Sequence, residues 1–170
     1  MASLMDDLTG VLQKEDEQYK VLINLSNEKK DVIIAANVAR LEEITAMEQQ
    51  VTDVLHHYET QRKSILHDMA EVLGREPEDF DIEKMIQMLT SQPNEQSRLI
   101  TLRDNLRNTL REMARINSQN QALIEQAIEM VEFDLTLLKS LRQAPETANY
   151  NKSAYNTGDL LGNGGFDAKQ

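Results

Sequence analysis

The chain has 170 residues, 40% of them apolar and 28% charged, with a net charge of −11, no cysteine and no tryptophan. That length accommodates one domain, and the balance is that of a globular or coiled-coil protein rather than a disordered one. The acidic surface disfavours nucleic acid and anionic lipid as partners, and the missing cysteines exclude a disulfide framework and zinc–thiolate chemistry.

Leu, Ile, Val and Met supply nearly all the apolar content, aromatics amount to 4%, and four of the six glycines follow residue 157. This composition favours helices over sheets and over an enzyme pocket. The opening residues Met1 to Asp7 lack the basic start and apolar core of a signal peptide. No apolar run is long enough to span a bilayer, so no direct membrane insertion is expected and the cytoplasm is the expected location.

The first helix is expected to start at Ser3, whose hydroxyl suits an N-cap with Asp6 three residues on. Leu4, Leu8, Val11, Leu22, Leu25, Val32 and Ala36 then recur in steps of three and four, with Glu15, Gln18 and Lys29 as polar members of the same seam. The pattern breaks at Ala36-Asn37, and Asn37 suits the N-cap of a second helix. There Leu41, Ile44, Glu48, Val51, Leu55, Tyr58, Arg62, Ile65, Met69 and Leu73 hold the heptad without a slip. A pattern held this long predicts a helix lying along another rather than crossing it. Gly74 then supplies a C-terminal cap, with Pro77 beyond.

Folding the two seams together about residues 38 and 39 predicts that positions summing to 76 or 77 face one another. Leu4 then meets Leu73, Leu8 meets Met69, Leu22 meets Leu55 and Leu25 meets Val51. The charged intruders match too, Glu15 with Arg62 and Lys29 with Glu48, and such pairs fix register more than they add stability.

An acidic connector follows, in which Asp81 is expected to cap a short helix that buries Ile82, Met85, Ile86 and Leu89. Pro93 and Asn94 open a third long helix, with apolar positions at Leu99, Leu102, Leu106, Met113, Ile116, Leu123, Ala127, Met130, Leu137 and Leu141. Fifty helical residues measure about 75 Å, against about 50 Å for each arm of the hairpin. The third helix is therefore expected to overhang or to break, with Asn117-Ser118-Gln119-Asn120 as the place for a break, a bend or a wet layer. The fold class expected is all-α, an antiparallel bundle of three long helices with a short connector helix. It occupies residues 1–144 (helices about 3–36, 38–73, 81–90 and 94–143), and residues 145–170 form a flexible tail without helical period.

Few constellations suggest chemistry. His56, His57 and His67 all lie on the second helix, and a bundle metal site needs ligands from several helices. Surface histidines account for them better. No nucleophile–base pair and no phosphate-cradling glycine loop occurs, so neither enzyme activity, nor metal, nor cofactor is expected. Five of the nine arginines lie between 98 and 115, with Arg103, Arg107, Arg111 and Arg115 four apart. They form either a docking patch or a set neutralised internally by the connector and the acidic start of the first helix; the second reading is the simpler. Met85, Met88, Met113 and Met130 belong to the core or, alternatively, to an adaptable groove for helical ligands.

The order of parts resembles the FlgN-like family of flagellar export chaperones. The likeness is carried by Leu22, Leu25, Glu28 and Lys29, the break at Ala36-Asn37, and the start Val38-Ala39-Arg40-Leu41-Glu42-Glu43-Ile44. It continues through Asn117 to Asn120 with Leu123-Ile124, and in the tail through Tyr155-Asn156-Thr157-Gly158 and Phe166-Asp167-Ala168-Lys169. The resemblance implies a cytoplasmic type III secretion chaperone. Its partners would be hook-associated proteins, held unassembled by their amphipathic C-terminal segments, and the export gate of the flagellar apparatus, to which they are delivered. A helix-in-groove mechanism needs a long apolar face and an adaptable end. Leu123, Ile124, Ala127, Met130, Val131 and Leu138 are the expected client contacts on the third helix, and Tyr150, Tyr155, Leu160 and Phe166 those in the tail. The competing reading is a structural coiled-coil adaptor or self-assembling bundle unrelated to secretion.

Overall fold

A computed structural model describes residues 2–143, and among these the protein is all-α, without a strand. The helices are α1 (Ala2–Ile34), α2 (Val38–Val72), α3 (Ile82–Met88) and α4 (Pro93–Gln143), with 3-10 turns at Pro77–Asp79 and Leu89–Ser91. The chain divides into two compact units, Met1–Glu125 and Gln126–Gln170.

Local chemistry sets the helix ends in the first unit. α1 begins at Ala2, so Ser3 sits inside its first turn instead of capping it. Its C-terminus closes when Ala36 N–H donates to Ile33 O (3.0 Å) and Asn37 N–H to Val32 O (3.1 Å), with Ala36 at φ 52°. That left-handed position usually falls to glycine. Asn37 then turns the corner, its Oδ1 accepting from Arg40 N–H at 3.1 Å to cap α2. α2 ends in the same geometry, with Gly74 at φ 62°, Gly74 N–H donating to Glu71 O and Arg75 N–H to Ala70 O. Asp81 Oδ1 caps α3 by accepting from Lys84 N–H at 2.8 Å, and Pro93 occupies the first turn of α4, where its missing N–H costs nothing.

α1 and α2 run antiparallel in the register the sequence implies. Both Glu15 carboxylate oxygens accept from Arg62 Nε (3.1 and 3.0 Å), and Lys29 Nζ donates to Glu48 Oε2 at 2.7 Å; each pair's numbers sum to 77. At the turn, Arg40 clasps Glu28 at 2.6 Å and Glu43 at 2.7 Å. The N-terminal part of α4 lies along α1 and parallel to it. Arg98 reaches Asp6 at 3.5 Å, Thr109 Oγ1 donates to Asp16 Oδ1 at 2.5 Å, and Asn120 Nδ2 donates to Ser26 O at 2.8 Å. The separations in sequence are 92, 93 and 94, a register held over six helical turns.

The core gathers where the connector crosses the helix ends. Met5, Leu8, Val11 and Leu12 of α1 pack with Leu66, Met69 and Ala70 of α2, with Phe80, Met85, Ile86 and Leu89 of the connector, and with Leu99 of α4. Ile82 is half-buried against this cluster. Gln96 ties α4 to the connector by donating from Nε2 to Ile86 O at 2.9 Å.

Farther along, polar side chains share the packing with buried Ile44, Met113 and Ile116. Ser26 Oγ and Lys29 Nζ both donate to Glu48, and Asn120, 5% exposed, crosses from α4 to the Ser26 carbonyl. α4 continues through this layer as one uninterrupted helix, so of the break, bend or wet layer expected at residues 117–120 the break does not occur, and a buried polar residue, Asn120, stands there. Asn120 is turned inward by the same three-and-four spacing that buries Met113 and Ile116, and its hydrogen bond to α1 lets the helix pass unbroken. Its Oδ1 has no protein partner. A buried unmet acceptor costs more than one neutral hydrogen bond contributes. Asn120→Leu is therefore expected to stabilise the protein by about 1 kcal/mol. Thermal unfolding checks this, and a variant less stable than the parent would show that the layer depends on the amide.

Candidate partner-binding face

The second unit is described over residues 126–143, where the residues from Ile128 onward are all exposed. It carries a density of large apolar side chains found nowhere else on the described surface. Ile128, Val131, Leu135, Leu137, Leu138 and Leu141 lie about half open to solvent, and Met130 and Phe133 are 69% and 68% exposed. At about 100° of rotation per residue, these eight cover an arc of roughly 220° around the helix. A helix that buries one side against a core needs a stripe of only about 100°. The remaining arc carries Glu129, Glu132, Thr136, Lys139, Ser140 and Gln143, while Asp134 and Arg142 fall within the apolar one. Isolated exposed leucines are ordinary, but an exposed apolar surface of this width is unusual on a folded chain.

The expected contact residues fall in three places. Leu123 and Ile124 are half-buried in the first unit. Ala127 is half-exposed in the second, while Met130, Val131 and Leu138 are fully part of its open surface. Tyr150, Tyr155, Leu160 and Phe166 lie outside the described residues. Ile128, Phe133 and Leu135 join the exposed surface without having been singled out from the sequence. Phe133 is the largest of them, and it lines a depression of about 530 Å³ with Gln126, Glu129, Met130 and Asp134. Its spacing of three residues from Met130 was the available signal.

The arginine-rich stretch of α4 is largely neutralised by its neighbours. Arg103 pairs with Glu83 of α3 at 2.7 Å and with Asp104, Arg107 also reaches Glu83 at 3.0 Å, and Arg115 pairs with Glu112 at 2.6 Å. The hydrogen bonds that Arg103 donates to Asp104 and Glu83, and Arg115 to Glu112, raise both guanidinium pKa values above the ordinary range. Glu83 of α3, Asp104 and Glu112 of α4 itself and Asp6 of α1 supply the counter-charge, and what is left of the docking-patch alternative is Arg111, one exposed guanidinium.

The histidines are exposed. Among the described residues, the one set with metal-ligand spacing is His67, Asp68 and Glu71, all on consecutive turns of α2 and all open to solvent. His67 Nδ1 lies 3.9 Å from Asp68 and 4.0 Å from Glu71 on the open surface of one helix. No described helix is long and apolar enough to cross a membrane.

Comparison with curated proteins and with solved structures finds no match. The family pattern described as FlgN protein matches residues 1–158, more than nine-tenths of the sequence. The chain belongs to the FlgN family, whose general role is chaperoning in flagellar export.

Proposed function

We propose that this protein is a cytoplasmic chaperone that binds amphipathic C-terminal segments of hook-associated flagellar proteins, prevents their premature assembly, and delivers them to the export gate. The scaffold in this reading is an antiparallel bundle of three long helices, α1, α2 and α4, braced by α3, with the domain spanning 1–144 and a tail at 145–170. The exposed apolar arc of residues 128–141 carries the proposal. Completing the burial of half-exposed Leu, Ile, Val, Phe or Met side chains contributes about 1 kcal/mol each. Eight of them give roughly 8 kcal/mol before the cost of association is met. A single helix laid on one side would cover only part of the arc. The client is therefore expected to wrap the segment or to share it with residues of 145–170, among which Tyr150, Tyr155, Leu160 and Phe166 are the candidate anchors. Leu123, Ile124 and Ala127 are candidate contacts on the adjoining turns of α4.

Calorimetric titration with C-terminal segments of the hook-associated proteins from the same genome tests this reading. Binding that disappears when residues 126–170 are removed would support it. Binding lost on removal of 145–170 alone would assign part of the site to the tail. If no segment binds a folded sample, and the protein instead forms stable oligomers at micromolar concentration, the apolar arc serves self-assembly and the chaperone reading fails.

A further inference from the structure

The apolar arc has a carboxylate at its centre. Asp134 lies midway around the exposed face, and the positions three and four residues to either side of it are Met130, Val131, Leu137 and Leu138. All four are exposed hydrophobics. Among the described residues no cation pairs with Asp134, and the depression it lines with Met130 and Phe133 holds a second acid, Glu129, and no basic residue. Any partner that covers this face removes water from Asp134. An apolar partner leaves that carboxylate unpaired at a substantial cost, whereas a cation compensates it. Arginine fits best. Its methylene stem lies along apolar surface, its guanidinium can pair with the carboxylate through two hydrogen bonds, and the exposed Phe133 ring offers a face for it to stack on.

We propose that the face of residues 128–141 selects helical segments whose apolar stripe is interrupted by an arginine, and that Asp134 is the residue that makes the selection. This rests on the reading of that face as a docking surface. Asp134 lowers affinity for purely apolar helices and raises it for those carrying the matching charge, a discrimination built from both attraction and penalty.

Three synthetic amphipathic peptides of 18 residues, identical except for Arg, Leu or Glu at the centre of the apolar stripe, provide the probe. Fluorescence anisotropy against the full chain is expected to rank them Arg, then Leu, then Glu, with at least a tenfold difference between Arg and Glu. Asp134→Lys should reverse the order of the Arg and Glu peptides, and Asp134→Asn should shrink the gap to less than threefold. Equal binding of Arg and Glu peptides to the parent chain, or an Arg preference that survives Asp134→Lys, would overturn the selection by Asp134 while leaving the docking face in place. If none of the three binds, the docking face itself is refuted and the selection with it.

Discussion

Arg62→Met should be among the most destabilising single substitutions of a partly exposed residue in this protein, at about 3 kcal/mol. Glu15 is 3% exposed, and its carboxylate is held in the α1–α2 seam by the two hydrogen bonds from Arg62 Nε. Removing the guanidinium leaves a charge with little access to water, and the lower end of the range for a broken buried pair applies because the Arg62 side of the pair is about a quarter exposed. Burial already pushes the Glu15 pKa above its ordinary value, with the Arg62 charge and hydrogen bonds pulling it partly back. Without Arg62 it rises further. A carboxylate with a raised folded pKa binds more protons in the folded state than in the unfolded one, so stability falls as pH rises from the unfolded to the folded value. The Arg62→Met defect should therefore be largest near pH 7 and partly recovered near pH 5. The double variant Glu15→Leu, Arg62→Met should return close to the parent, because an apolar pair needs no compensation. Denaturant unfolding at the two pH values measures all of this; an equal defect at both would mean that Glu15 finds another partner.

Phe133→Asp and Leu138→Asp should each weaken client binding about a hundredfold without lowering the melting temperature. Aromatic and large aliphatic anchors at the centre of an interface commonly account for 2 kcal/mol or more, and an added carboxylate opposes burial as well as deleting contact area. Both side chains are more than half exposed in the free protein, so the fold loses nothing when they become charged. Ser140→Asp, on the polar side of the same helix, is the matched control and should bind as the parent does. If Phe133→Asp and Leu138→Asp bind with undiminished affinity, clients engage some other surface.

Much of the first unit was legible because the α1–α2 seam obeys a single period. Its charged members Glu15, Lys29, Glu48 and Arg62 could be paired from the register alone, and the caps at Asn37, Gly74 and Asp81 were readable as residue types in the right place. What the seam could not show is that α1 has a second neighbour. Met5, Leu12, Thr9 and Ser26 are buried in addition to the heptad positions, because α1 packs along α4 and the connector as well as α2. The polar residues on that second stripe read as solvent-facing or as breaks. Thr109 and Asn120 are instead buried through hydrogen bonds to Asp16 and to the Ser26 carbonyl, and hydropathy carries no trace of such partners. The candidate face was only partly legible for a related reason. A heptad keeps Met130, Leu137 and Leu141 in view but passes over Ile128, Phe133 and Leu135, which become significant only when the whole circumference is seen to be open.

The constant offset of about 93 residues between α1 and α4 also sets an order of assembly. The α1–α2 hairpin closes through a three-residue turn, so its contacts begin locally and zip outward at low entropic cost. Every contact between α1 and α4 must close a loop about thirty times longer, a cost that those few polar links do not meet until the hairpin has presented a finished surface. During synthesis the hairpin is complete before residue 93 is made, and it can form while the rest is still being translated. In a refolding experiment, substitutions at Leu22 or Leu55 would slow folding, whereas substitutions at Thr109 or Asn120 would act almost wholly on the unfolding rate.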